Sequence, residues 1–198
     1  MLGQQLYARA ELDHYPTPPE ATKAFLKTGV AQALLANAFV WEPACGDGAI
    51  VKVIESCAKS VFGSDIAVYP GDYEPNALVD FLKIVSLDEV FYHHPQGQPT
   101  GIVTNPPYGK EAEAFARQAL KLMAESGGFV VMLCRHEWDT AKSRKDLFDH
   151  PAFLAKVTLR FRPRWIKNTK GSPRHSYAWY VWSWSKDRIH APNIFYAG

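Results

Sequence analysis

Asn105, Pro106, Pro107 and Tyr108 follow directly on an apolar run, Gly101-Ile102-Val103-Thr104. Two consecutive prolines fix the backbone and remove two amide donors. What remains to face a ligand is carbonyl oxygen, the Asn105 amide and the flat ring of Tyr108. The amino nitrogen of adenine is a poor nucleophile, because its lone pair is delocalised into the ring. Two acceptors set against its hydrogens draw it towards tetrahedral geometry and localise that pair. The Asn105 side-chain oxygen and the Pro106 carbonyl could supply them, with no base of altered pKa. Tyr108 could stack on a base withdrawn from its helix. Taken alone, the tetrapeptide is also a proline-stiffened turn after a buried strand.

A second motif gives it context. Glu42-Pro43-Ala44-Cys45-Gly46-Asp47-Gly48 follows the apolar run Ala38-Phe39-Val40-Trp41 and opens a helical stretch. Glycines spaced by one residue let a strand turn sharply into a helix and let backbone approach a ligand. The next apolar run, Ser60 to Ser64, ends at Asp65, 17 residues beyond Gly48. An acid at that strand tip is what a ribose diol needs as an acceptor. A dinucleotide fingerprint wants a third glycine, and Ile50-Val51 stand there instead. A Gly-Lys-Ser/Thr phosphate loop is also missing. The pocket is therefore expected to take an adenosine-type ligand without phosphates, and S-adenosylmethionine fits. Its methyl is already activated by the sulfonium charge, so placement does most of the chemistry.

These residues need strand tips to hold them. Glu20 to Leu35 reads as one helix behind Pro16, Pro18 and Pro19. Strands are expected at 38–41, 60–64, 76–79 and 101–104, and at Phe129 to Cys134, apolar on both faces as a central parallel strand should be. Helices are expected at 48–57, 111–125, stopped by Gly127-Gly128, and 141–149. Lys156 to Phe161 and Tyr177 to Trp184 read as an antiparallel pair joined by a turn-rich connection. Strands alternating with helices make an α/β fold with a mostly parallel sheet, in which ligands sit beyond the carboxyl ends of the strands. The alternating aromatics of 177–182 read as sheet core.

Composition excludes several classes. The 198 residues are 47% hydrophobic and 21% charged, the balance of an ordinary globular domain. Three cysteines, Cys45, Cys57 and Cys134, are too few and too scattered for a disulfide framework or zinc site. The histidines have no metal-ligand spacing, so no metal is expected. No apolar run approaches the length of a membrane span, and the start lacks a signal peptide, which together imply a cytoplasmic protein. The net charge of +2 says little, but its placement says more. No Asp or Glu occurs between Asp149 and Asp187, while Arg160, Arg162, Arg164, Lys167, Lys170 and Arg174 do, with Trp165 among them. Cations interleaved with an aromatic fit phosphate contacts plus base stacking. They also fit a solvated hairpin.

With these motifs in order, the chain resembles the amino-group DNA methyltransferases of the adenine-modifying class, over about Tyr15 to Trp184. The resemblance implies a Rossmann-like class I methyltransferase fold, with a mostly parallel seven-stranded sheet and an antiparallel C-terminal hairpin strand. It implies S-adenosylmethionine as cofactor and transfer to the N6 amino group of adenine in DNA. Tyr15 and Thr17, within Tyr-Pro-Thr-Pro, look like the segment that contacts the methionine part. Glu42 to Gly48 look like the cofactor loop, Asp65 the ribose acid and Ile66 the apolar residue against the adenine ring. Asp80 and Phe81 look like the contact with the adenine edge, and Asn105 to Tyr108 like the catalytic tetrapeptide. In the resembling family the basic connection lines the target-base pocket, which makes Trp165 a candidate second stacking face. The motif order and the compact form look like those of phage and prophage members.

Site-specific members usually carry a separate target-recognition domain. Only 14 residues follow Trp184, so a single domain over 1–198 is expected, with room for a specificity partner or a homodimer. Adenine in RNA and the glutamine amide of a protein are alternative acceptors for the same tetrapeptide. A further alternative is a non-catalytic nucleic-acid binder on the same fold, against which the joint presence of Gly46, Asp65, Asn105 and Tyr108 speaks.

Overall fold

A computed structural model describes residues 15–166, 170–185 and 192–198. Pro16, Pro18 and Pro19 deliver the chain in extended form to α1 (Pro19–Leu26), with Pro19 in its first turn. The single helix expected over 20–35 is two. Thr28 leaves the helical conformation, and its hydroxyl accepts from the Ala31 amide at 3.3 Å, starting α2 (Gly29–Leu35). An N-capping threonine followed by glycine outweighs the apolar periodicity that ran through both segments.

The strands are β1 (Phe39–Glu42), β2 (Ser60–Asp65), β3 (Ala77–Leu78), β4 (Gly101–Thr104), β5 (Phe129–Arg135), β6 (Phe153–Leu159), β7 (Tyr177–Ser183) and β8 (Asn193–Ala197). They form one sheet in the order β3-β2-β1-β4-β5-β7-β6-β8. Only β7 runs against its neighbours, β5 and β6; the other pairings are parallel. Among the described residues the sheet thus has eight strands where seven were expected. The extra one, β8, pairs in parallel with β6 from Ala155↔Asn193 to Leu159↔Ala197. Most of its side chains stay exposed, so no buried face marks it in the sequence.

Helices cover both faces. Phe39 and Trp41 of β1, Ile102 of β4 and Tyr180 and Trp182 of β7 pack on one side, with Phe115, Ala116 and Leu120 of α5 (Lys110–Ser126). Phe91 of the short α4 (Asp88–Phe91) and Leu147 of α6 (Lys145–Phe148) join them. Val40, Val103, Val131, Trp179 and Val181 face the other side, against Phe25 of α1, Leu35 of α2 and Ile54 of α3 (Val51–Ile54). The alternating aromatics of β7 are core, and the indoles of Trp179 and Trp182 donate to the carbonyls of Ala21 and Leu147 at 3.0 and 2.8 Å. Two expected helices are shorter than read: the 48–57 stretch keeps only α3, and 141–149 is a 3-10 turn followed by α6. Among the described residues no helix is long and apolar enough to cross a membrane.

The order β1 then β4 is where the connections change direction: the chain winds outwards through β2 and β3, then returns past β1 to β4. This leaves a crevice above the carboxyl ends of β1 and β4. The two motifs end those two strands.

Candidate active site

β1 is fully buried and ends in Glu42, whose side chain is only 2% exposed. Its carboxylate accepts from the Val51 amide at 3.1 Å, tying the strand end to the start of α3. Burial is the main reason its pKa lies well above the ordinary carboxylate value, and the neighbouring Asp65 and Asp47 charges push the same way. Between Glu42 and α3 the backbone turns through Gly46 (φ 54°) and Gly48 (φ 77°), with the Gly48 amide bonded to the Cys45 carbonyl at 2.8 Å. Positive φ at both explains why glycine stands there.

Asp65, the last residue of β2, closes the loop from the side. Its carboxylate accepts from the Gly46 amide and the Ile66 amide, each at 2.8 Å. The expected ribose acid is therefore also the brace of the glycine loop. It raises the phenol of the adjacent Tyr69 as well, which burial and this charge push up to about 12.

These elements surround a cavity of about 630 Å³. Tyr15, Thr17, Glu42, Pro43, Ala44, Cys45, Gly46, Asp47, Asp65, Ile66, Asp80 and Phe81 all line it, and so do Asn105, Pro106 and Pro107. Two sequence candidates do not. Gly48 faces away, and a Cβ there would lie 2.4 Å from the Tyr73 ring. Tyr108 turns from the cavity into an aromatic cluster, its ring 6.2 Å from that of Tyr15 and 6.0 Å from that of Trp165. Burial drives its hydroxyl well above the usual phenol range, with Tyr177 next to it. Trp165 meets Tyr108 edge-on at 89°, and packs on Tyr177 at 5.0 Å. The two expected stacking rings therefore meet edge to face in this structure.

Asp80 and Phe81 sit in the wall on other duties as well. Asp80 caps the Leu82 amide at 3.2 Å and pairs with Lys83 at 2.9 Å. Phe81 is 1% exposed and packs against Trp41 and Phe115. Ile66, by contrast, is 56% exposed at the cavity edge, apolar surface that a bound ring would cover. Tyr69, Leu82, Glu111 and Phe115 also line the cavity, and no motif marks them. Tyr69 comes from an irregular loop. Glu111 and Phe115 lie on α5, where their spacing reads only as helix.

Two features of the cavity describe its ligand. Five acidic side chains line it (Glu42, Asp47, Asp65, Asp80 and Glu111), and among the described residues no Lys or Arg does. Such a wall suits a cationic ligand and repels phosphate. Two oxygens, Asp47 Oδ1 and Asn105 Oδ1, are buried without a hydrogen-bond partner. A buried acceptor left unpaired is unfavourable unless something arrives to donate to it.

In the basic connection, Arg162, Arg164, Lys170 and Arg174 are exposed and Trp165 is partly buried; Lys167 lies outside the described residues. Arg162 and Arg164 direct donors at the connection itself, to the carbonyls of Pro173 (3.4 Å) and Gly171 (2.8 Å).

No family model and no curated protein matches this chain. Solved structures do. A candidate RNA methyltransferase from Pyrococcus horikoshii superposes with a TM-score of 0.60, over 87% of this chain and 88% of the other, at 15% identity. A candidate class I S-adenosylmethionine-dependent methyltransferase from Listeria monocytogenes gives 0.55, over 94% and 66%, at 14% identity. The modification subunit of a candidate type I restriction enzyme from Vibrio vulnificus gives 0.53 at 15% identity, covering 92% of this chain and 46% of that one. The chain therefore has the Rossmann-like class I methyltransferase fold. At such identities the likeness speaks of architecture alone.

Proposed function

We propose that this protein is an S-adenosylmethionine-dependent methyltransferase that modifies the N6 amino group of adenine in DNA. The observation that carries the reading is the Asn105 side-chain oxygen, buried and unpartnered in the wall that also holds Glu42, Gly46 and Asp65. The residues present fit the cofactor: an acid-lined cavity with no basic group among the described residues, an unpaired carboxylate oxygen on Asp47, and exposed Ile66 at the rim. When bound, S-adenosylmethionine supplies an electrophilic methyl on a positively charged sulfur.

The chain's own residues then have these roles. Asp65 holds ribose hydroxyls, and Ile66 flanks the cofactor's base with Asp80 and Phe81 at its edge. Tyr15 and Thr17 close the methionine end, and Asp47 takes the ammonium. Asn105 Oδ1 and the Pro106 carbonyl accept from the two hydrogens of the target amino group. They fix its position and concentrate its lone pair. Pro107 keeps this pair rigid. Tyr108 stacks on the flipped base, which requires Tyr15 and Trp165 to move off its ring. Arg162, Arg164, Lys167, Lys170 and Arg174 serve the phosphate backbone.

The test is transfer from a labelled methyl donor to unmethylated DNA, RNA and protein in parallel, followed by digestion to nucleosides. N6-methyldeoxyadenosine is expected; label confined to RNA or protein rejects the DNA assignment. Asn105→Ala should bind the donor as the parent does in calorimetry and lose turnover by at least about 10²–10³-fold. Undiminished transfer removes Asn105 from the chemistry.

A further inference from the structure

A cation outside the basic connection also stands at this end of the sheet. Arg135 is the last residue of β5. Its strand runs beside β4, with Met132 opposite Thr104, and beside β7, with Arg135 opposite Tyr177. Arg135 therefore leaves the sheet at the same end as Asn105, opposite Tyr177, whose ring packs on Trp165.

Its backbone is anchored. The Tyr180 hydroxyl is shared between the carbonyls of His136 (2.6 Å) and Arg135 (3.0 Å), and the His136 amide donates to Ser176 at 3.0 Å. The side chain is held too: Arg135 Nη1 lies 2.6 Å from His175 Nδ1. A guanidinium has no acceptor, so the histidine nitrogen must accept and the ring must be neutral. Burial holds the ring below its ordinary pKa, as do the charges of Arg135, Arg174 and Arg162, against the opposing pull of Glu137. Among the described residues Arg135 makes no ion pair. A carboxylate in the place of His175 would orient the fork equally well and cancel its charge. The neutral imidazole orients it and leaves the charge for a ligand.

We infer that Arg135 binds the nucleic-acid backbone phosphate adjacent to the target nucleotide, with His175 as the positioning residue that aims its free edge. A planar fork of donors matches two phosphate oxygens. This rests on the reading that the acceptor is a nucleic acid.

The experiment is fluorescence anisotropy with a labelled adenine-containing DNA across a salt series, with steady-state kinetics alongside. Arg135→Gln should weaken DNA binding roughly tenfold and flatten the slope of log affinity against log salt by about 0.7–0.9, one phosphate contact. KM for DNA should rise, while kcat and donor affinity stay within about twofold of the parent. Arg135→Lys should recover part of the loss, keeping the charge without the fork. His175→Phe should lose affinity, and His175→Asn, whose amide oxygen can accept as Nδ1 does, should restore it. Unchanged affinity and slope in Arg135→Gln, or a fall in kcat alone, overturns the assignment. If the parent proves to methylate RNA, the same variants on RNA decide the phosphate contact while only the DNA assignment falls. Transfer to protein alone overturns both.

Discussion

Glu42 shows how a single side chain records a site that waits for a ligand. A carboxyl buried to 2% exposure, beside two other acids, holds its proton more tightly than in the unfolded chain. Folding then takes up a proton. The stability tied to this group is complete below the ordinary value of 4.5. It is lost as pH rises from there through the raised folded value. Glu42→Gln should therefore stabilise the cofactor-free protein, and the Tm gain over the parent should grow from acid to neutral pH. A gain that is the same at every pH would mean that folding does not raise the Glu42 pKa. The same variant should bind the methyl donor more weakly, since it removes one of the acids lining the cavity.

Between elements, one tyrosine couples β2 to the glycine loop that follows β1. Tyr73 fills the space above Gly48 and Gly63: a Cβ on Gly48 would meet its ring at 2.4 Å, and one on Gly63 its hydroxyl oxygen at 2.2 Å. Gly63→Ala should therefore destabilise the protein by about 1–3 kcal/mol, the usual range for overpacking. Tyr73→Phe removes the oxygen and should relieve most of that loss. Thermal denaturation of the two single variants and the double variant would show it; strictly additive effects would mean that the two residues do not meet. Gly48→Ala should find no such relief, because its clash is with the ring and its φ is positive.

The loops around Gly48 also show how far residues alone carried the fold. Strands β1, β2, β4, β5 and β7 were legible, because each is a short apolar run that ends in a motif or a turn. The cavity wall was legible wherever a motif supplied it. Tyr69 and Tyr73 were not, because they sit in a loop whose contacts depend on where β2 and β3 place it. Arg135 was not, because its relation to Tyr108 and His175 exists only once β5 lies between β4 and β7. The break at Thr28 was overrun by an apolar pattern that both helices share.

Across the whole molecule, β8 is the strand that sequence patterning passed over. It closes the outer side of β6, with Ala197 buried and its carbonyl accepting from the Arg160 amide at 2.8 Å. Removing Asn193–Gly198 should leave that side of β6 bare and cost about 2 kcal/mol, or roughly 4–8 °C of Tm for a chain of this length. Thermal denaturation would show it, and an unshifted midpoint would make β8 a passenger. Donor binding should survive the loss, because the cavity lies at the other half of the sheet.

The place of β7 has a consequence for how the chain is made. It lies between β5 and β6, so the outer side of β5 stays vacant until a segment more than 40 residues downstream arrives. As the polypeptide leaves the ribosome, Phe129-Val130-Val131-Met132-Leu133-Cys134 therefore presents a bare, strongly apolar border, the kind of surface on which nascent chains stick to one another. The antiparallel strand that supports Arg135 is also the late stitch that ends this exposure.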